Sequence, residues 1–294
     1  MDIRQLERFV EVACLGSVNR AAEALSVSQP SLSRSLQMLE ESLGAPLFTR
    51  GARGVELTPH GIELLPRARL ILAERDRAVE AVRAGAGQGR ETLHIGTDAA
   101  FAMQRLPRAL AALACSHPQV QVQVREGPLG ALLDALREGA VRLVFGARGP
   151  YVDLEGLAFE TLAMESAGVI MRADHPLAGR AQVRLSDLIA QRWIVPDHPA
   201  LVAGWREMFA RADLTEPPIA LRTSSLHVVK GCLLEGPFVS LGDRSSFAAE
   251  IASDQLVSLD LGLSRYERPT GLFTRPEGRL STSEHALVAA LREG

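Results

Sequence analysis

The chain has 294 residues, of which 47% are hydrophobic and 23% charged, and its net charge is −3. Those figures suit about two soluble domains with ample side chain for a core; they exclude a disordered or fibrous chain and a uniformly basic nucleic-acid sponge. No apolar run approaches the ~20 residues of a membrane span, and Met1-Asp2-Ile3-Arg4-Gln5 has no basic segment leading into an apolar one, so the expectation is a cytoplasmic protein without membrane contact.

Residues 1 to about 60 read as short helices. Ile3, Leu6, Phe9, Val10 and Ala13 share one face at helical spacing. Gly16-Ser17 breaks that helix, and Ser17 caps a second that contains Ala21, Ala22 and Leu25. Ser26-Val27-Ser28 is a tight turn, after which Ser28 caps a third helix from Gln29 to about Leu43, with Pro30 in its first turn and Gly44 ending it. Arg50-Gly51-Ala52-Arg53-Gly54 is a glycine-rich turn between strand-like pieces, a β-hairpin or wing. Thr58-Pro59 opens a long helix reaching about Val82, whose apolar stripe suits burial against a partner chain; Pro66 inside it predicts a kink.

Gly85-Ala86-Gly87-Gln88-Gly89 reads as a linker. Beyond it strands alternate with helices. Strands are expected at 92–96, 120–124, 143–145, 167–171, 193–195, 219–221, 238–241, 256–259 and 271–274. Helices are expected at 105–115, 130–138, 201–212, 225–234, 245–252 and 283–293. The alternation implies α/β architecture with mainly parallel sheet.

Two helices joined by a short turn make a helix-turn-helix, and the second has a front suited to DNA. Gln29, Ser31, Ser33 and Arg34 face outward while Leu32, Leu36 and Leu39 pack inward. Gln and Arg bond adenine and guanine edges in bidentate fashion, and a serine-rich helix start suits phosphate. Arg50 and Arg53 would reach the backbone or the minor groove from the wing. Residues 1–60 hold six arginines and seven acids, so any positive face must come from their distribution. A polar helix start that is merely solvated is the competing reading.

The run from Ser17 through Ala21-Ala22, Leu25, Ser28-Gln29-Pro30, Ser33, Leu39-Glu40, Leu43-Gly44, Leu47-Phe48, Arg50, Leu57-Thr58 and Gly61 resembles the N-terminal domain of the LysR-type transcriptional regulators. The resemblance extends over the whole chain. It implies an α+β two-part architecture: a winged helix-turn-helix (1–58), a dimerisation helix and hinge (59–90), and an α/β two-lobed, periplasmic-binding-protein-like effector domain (91–294), with lobe I at 92–161 plus 268–294 and lobe II at 162–267. The chain would cross between lobes near Thr161–Ala163 and Tyr266–Pro269. Ser17, Ser28, Gln29, Pro30, Ser31, Ser33, Arg34, Arg50 and Arg53 are the expected DNA-contacting residues. The implied partners are a double-stranded DNA operator, a small organic-acid or sugar-like effector, a second copy in a dimer or tetramer, and RNA polymerase, with no cofactor or metal.

Ligands of open α/β sheets sit at the carboxyl ends of strands and at helix N-termini. That rule points to Thr97, Asp98, Phe101, Gly127, Arg148, Pro196, Ser224 and Ser225. Thr97 and Ser225 are either ligand donors or plain helix caps, and Arg148 is either an anion partner or a solvated loop residue. Asp98 favours a hydroxyl- or amine-bearing ligand over a dianion, unless it pairs with Arg105 or Arg148. One departure stands out: a strand that in the family often carries Asp reads Val141-Arg142-Leu143 here. Leu221-Arg222-Thr223-Ser224-Ser225, Leu233-Leu234-Glu235 and Arg268-Pro269 are similar to a branch that includes regulators of sugar and aromatic-acid catabolism.

Other classes have little support. Cys14, Cys115 and Cys232 lie among apolar neighbours and read as small core residues, with redox sensing as the alternative. None of the seven histidines accompanies a nucleophile elbow, an HExxH or a phosphate loop, which argues against an enzyme. A constitutive regulator, or a cytosolic binding module whose helix-turn-helix serves protein contacts, are the rival functions.

Overall fold

The structure is a computed structural model that describes residues 1–51, 54–86, 90–149, 152–197, 199–261, 267–276 and 278–293. By internal contacts it divides into two compact units: Met1–Ile95 with Gln119–Gln123 and Ala131–Arg142, and Gly96–Pro118 with Val124–Gly130 and Leu143–Gly294.

The N-terminal elements follow from caps and an apolar seam. Helix α1 (Ile3–Leu15) starts with a reciprocal box, in which the Gln5 N–H donates to Asp2 Oδ1 and the Asp2 N–H to Gln5 Oε1, each at 2.8 Å. Gly16, at φ 61°, ends it in the left-handed region. Ser17 accepts from the Arg20 N–H at 3.4 Å to start α2 (Val18–Ala24), and Ser26, at φ 54°, turns the chain into α3 (Gln29–Leu43). Leu6, Phe9, Val12, Ala21, Leu32 and Leu39 form the buried seam. Strands β1 (Phe48–Gly51) and β2 (Gly54–Leu57) pair antiparallel, with Arg50 opposite Val55. The hairpin sits on the α1–α2 turn, where the Val55 N–H donates to the Gly16 carbonyl at 3.1 Å. Gly54 is required there: its φ is 145°, and a Cβ would lie 2.2 Å from that same carbonyl oxygen. Helix α4 (Pro59–Gly85) starts at Thr58, whose Oγ1 accepts from the Gly61 N–H, and continues through Pro66.

The remaining elements are β3 (Thr92–Thr97), α5 (Ala99–Gln104), α6 (Leu106–Ser116), β4 (Gln121–Glu126), α7 (Leu129–Arg137), β5 (Leu143–Ala147), β6 (Ala158–Glu165), β7 (Ala167–Arg172), β8 (Arg192–Pro196), α8 (Pro199–Ala210), β9 (Ile219–Thr223), α9 (Leu226–Glu235), β10 (Phe238–Asp243), α10 (Ala248–Ala252), β11 (Leu256–Leu259), β12 (Arg268–Thr274) and α11 (Thr282–Glu293). They form two five-stranded sheets, in the orders β4-β3-β5-β12-β6 and β11-β7-β10-β8-β9. Trp193, Trp205 and Phe209 pack edge-to-face under the second sheet, and Ile170, Ile194, Val229, Leu233 and Phe247 fill its other side.

Three expectations need correction. The sheets are mixed: β8 runs parallel to β9 and β10, but β7 is antiparallel to β10 and β11, and β12 to β5 and β6. Only a helical crossover delivers a parallel neighbour, whereas β6 passes into β7 through Ser166 alone. Strand β6 and helix α5 were not among the expected elements, and β6 stays paired to β12 as far as Glu165, beyond the crossing point expected near Thr161–Ala163. Two of the three cysteines are not core residues. Cys14 and Cys115 are exposed, because the buried faces of α1 and α6 are carried by Leu6, Phe9 and Val12 and by Leu106, Ala109 and Leu113; Cys232, half-buried on α9, does pack against the core beside Val229 and Leu233. Of the expected linker, residues 87–89 lie outside the described residues, as do Tyr266, Arg53 and His198.

Candidate functional site

The start of α3 is open. Gln29, Pro30, Ser31 and Arg34 are exposed, and Ser33 is half-buried. Ser28 occupies the cap position but its side chain makes no capping hydrogen bond, contrary to the expectation; its extended backbone still starts the helix. The first-turn N–H groups of α3 therefore keep their donor capacity for an anion. Gln29 Nε2 donates to Ser33 Oγ at 2.9 Å, which holds the amide along the helix. Leu32, Ser35, Leu36 and Leu39 are buried beneath. Glu40 is turned away from this front: its Oε1 accepts from the Leu47 and Phe48 N–H groups at 2.7 and 3.2 Å. Arg50 is exposed on β1, and neither it nor Arg34 forms an ion pair among the described residues.

A second polar site is a tight pocket with room for about one water molecule. It is lined by Asp98, Phe101 and Gln104 from the β3–α5 region, Glu165 and Arg268 from β6 and β12, and Asp243 at the end of β10. Asp98 caps α5, its Oδ1 accepting from the Phe101 N–H at 2.8 Å, and its Oδ2 accepts from the Ala147 N–H at 2.9 Å. Gly146 allows that approach, since a Cβ there would lie 2.7 Å from Asp98 Oδ2. Arg268 grips Asp243 with Nε at 3.2 Å and with Nη2, a fork-on-carboxylate pair in which Asp243 is almost fully buried. Arg268 Nη1 is also buried and bonds nothing. Glu165 accepts from the Ser245 hydroxyl, and Gln104 Nε2 donates to Ser246 Oγ at 3.0 Å. The turn Arg244–Phe247 is thereby tied to both α5 and β6. Among the described residues no cluster of His, Cys, Asp and Glu is arranged to hold a metal ion.

Comparison with known proteins decides what these two sites belong to. Residues 3–62 match the family model for bacterial regulatory helix-turn-helix proteins of the lysR family, and residues 86–294 match the LysR substrate binding domain. The chain belongs to the LysR family. It is a transcriptional regulator with a helix-turn-helix DNA-binding domain and an effector-binding domain. It is 33% identical to the SDS degradation transcriptional activation protein of a Pseudomonas species over 97% of this chain and 94% of that one. It is 31% identical to the transcriptional regulator GalR of Pseudomonas putida, over 99% of this chain and 73% of that protein. Among solved structures it is similar to the LysR-family regulator CbnR alone (25% identity, TM-score 0.67, covering 100% and 99% of the two chains) and to CbnR complexed with its target DNA (TM-score 0.68, 25% identity). No helix of the described residues is long and apolar enough to cross a membrane.

Within this LysR-family chain the expected ligand residues are only partly brought together. Asp98 and Phe101 line the cavity; Thr97, Gly127, Arg148, Pro196, Ser224 and Ser225 do not. The Thr97 hydroxyl is fully buried and donates to the Asp98 carbonyl. Gly127 donates its N–H to the Thr97 carbonyl, and Ser225 caps α9 by accepting from the Val228 N–H. Arg148 lies over the Phe159 ring, 5.6 Å from its centroid. Asp98 pairs with neither Arg105 nor Arg148; its two oxygens accept from the Phe101 and Ala147 backbone N–H groups. Sequence reasoning did not name Gln104, Glu165, Asp243 or Arg268 as site residues; Arg268-Pro269 entered only as a family likeness and as part of the expected crossing between lobes. The unusual Arg142 faces Glu74 of α4 at 3.8 Å, beside Arg69–Glu138 at 2.5 Å and Arg77 on the Gly139 carbonyl at 2.7 Å. Arg142 thus carries a contact to α4.

Proposed function

We propose that this regulator reads operator DNA through the first two turns of α3, with Gln29, Ser31, Ser33 and Arg34 at base edges and Ser17, Ser28, Pro30, Arg50 and Arg53 at the backbone and wing contacts. The observation that carries this reading is the open polar start of α3, seated on a buried apolar back and free of competing ion pairs among the described residues. An α-helix N-terminus presented in this way fits the major groove. The domain boundaries that go with it are 1–58 for DNA binding, 59–90 for dimerisation and 91–294 for effector response.

Self-association runs through α4. Ile62, Ile71, Val79 and Val82 are exposed on it, while Ala68 packs inward. Dimers, and tetramers built from them, place several recognition helices on one operator. A small effector bound by the effector-binding domain shifts the assembly between states in proportion to its differential affinity for them, and so shifts RNA polymerase access. No catalytic step is part of this reading, and its setting is the cytoplasm.

The test is a footprint and binding titration on the DNA upstream of the protein's own gene, wild type beside Arg34→Ala at equal salt. Loss of a bidentate base contact weakens binding by about 1–3 kcal/mol, roughly 5- to 150-fold. Equal affinity of the two proteins for the protected site would overturn the assignment of α3. Steep weakening with salt is expected of both, because phosphate contacts remain.

A further inference from the structure

The backbone of residues 46–48, between α3 and the hairpin, is held from two sides at once. On one side stands Glu40, one turn before the end of α3. Its Oε1 accepts from the Leu47 and Phe48 N–H groups at 2.7 and 3.2 Å, and its carbonyl accepts from the Ala45 N–H at 3.3 Å. An acid in the last turn of a helix meets the negative end of the dipole, so it is these charge-assisted bonds that favour a carboxylate here. On the other side stands the start of α4. The Thr58 N–H donates to the Leu47 carbonyl at 2.9 Å, and the Thr58 hydroxyl donates to the Pro46 carbonyl at 2.6 Å. Gly61, in the first turn of α4, lies so close that a Cβ would sit 2.3 Å from the Leu47 carbonyl oxygen. The Leu47 side chain is buried in the apolar seam and anchors the clasped backbone. Leu64, Leu65 and Ala68 of α4 pack on the same seam, but apolar packing is non-directional and yields to small rotations. Hydrogen bonds are directional, and here they set the angle.

We propose that Glu40, together with Thr58, is a positioning residue that fixes the angle between α3 and α4 and thereby the separation of the two operator half-sites that a dimer reads. The proposal rests on the reading above that copies pair through α4. Two recognition helices carried on paired α4 helices stand at a distance set by the α3–α4 angle in each copy, and the preferred half-site separation follows from that distance. On a duplex whose half-sites are displaced, the dimer either loses one recognition helix from the groove or bends this junction. Bending it breaks the bonds to Glu40 and Thr58, and that cost is what rejects the wrong separation.

The experiment selects binding sites for the full-length protein from duplexes carrying a random window of about four helical turns. Affinity is then titrated for the selected site and for the same site lengthened by one base pair between its half-sites. Wild type should select a dyad with one dominant half-site separation. Glu40→Ala should select the same half-site sequence, because the front of α3 is untouched. Its discrimination against the lengthened duplex should fall roughly tenfold, the worth of one charge-assisted hydrogen bond. Glu40→Gln keeps an acceptor in the same place and should retain most of the discrimination. Gly61→Ala removes no hydrogen bond and suits a helix better than glycine, yet its Cβ pushes α4 off Leu47, so it should move the preferred separation. Unchanged discrimination in folded Glu40→Ala, an equal loss in Glu40→Gln, or an unmoved separation in Gly61→Ala overturns the proposal. Where Glu40→Ala fails to fold, Gly61→Ala decides alone; if that fails too, the junction serves folding and the proposal falls. A wild-type selection that yields single half-sites or none overturns pairing through α4 itself, and the proposal with it.

Discussion

The start of α3 and the cavity are both polar, but they are built in opposite ways. At α3 the side chains stand in solvent above a complete apolar seam, and their hydrogen-bonding capacity is left over for a partner. In the cavity the polar groups are buried and bonded mainly to one another, with Arg268 on Asp243, Glu165 on Ser245 and Gln104 on Ser246. Substitutions at the first should therefore change DNA affinity and leave stability alone. Substitutions at the second should change stability and leave intrinsic DNA affinity alone.

The strongest test of that contrast is Asp243→Ala. It strands the Arg268 guanidinium, only 15% exposed, and should destabilise the fold by about 3–5 kcal/mol in urea unfolding. Operator affinity measured well below the new midpoint should hold. Gly54→Ala comes next and belongs to neither class cleanly. It forces a Cβ against the Gly16 carbonyl at a positive φ, so about 1–3 kcal/mol of stability and some DNA affinity should fall together as the hairpin leaves its seat. Gln29→Ala is the reciprocal test at α3. Operator binding should weaken by about 1–3 kcal/mol, while the urea midpoint stays within about 0.5 kcal/mol of wild type, as for other exposed positions; a large stability change would break the contrast. The smallest effect concerns His175 in the second sheet's periphery. Burial lowers its pKa below the ordinary 6.5, with opposing effects from Gln191 and Asp174. Above pH 6.5 neither folded nor unfolded chain is protonated there; below it the unfolded chain takes up the proton first. Melting temperature should accordingly drop as pH falls from 6.5 and level off beneath the folded value, and His175→Gln should flatten that slope.

The same contrast explains what could be read in advance. The helix-turn-helix is a local object: Gly16, Ser17, Pro30 and Gly44 punctuate it, and one helical period separates its front from its back, so α3 falls at Gln29–Leu43 as expected. The cavity is assembled from distant strand ends. Asp243 and Arg268 are 25 residues apart, and Glu165 and Ser245 are 80 apart, so no spacing rule joins them. The strand-end rule named Asp98 and Phe101, which sit beyond β3 and line the pocket, but it could not name Arg268, which opens a strand. Strand β6 escaped notice because its burial is shallow and irregular along Ala158–Glu165, leaving no clear alternation of period two.

Glu165 is the last residue of β6 before the chain passes into the second sheet, and Arg268, its partner across the ladder, is the first of β12 on the way back. The polar cluster therefore sits where the chain leaves one sheet and returns to it: the two crossings share one ladder pair, and the Arg268–Asp243 contact ties the returning strand to the end of β10, so one substitution at Arg268 touches both sheets at once.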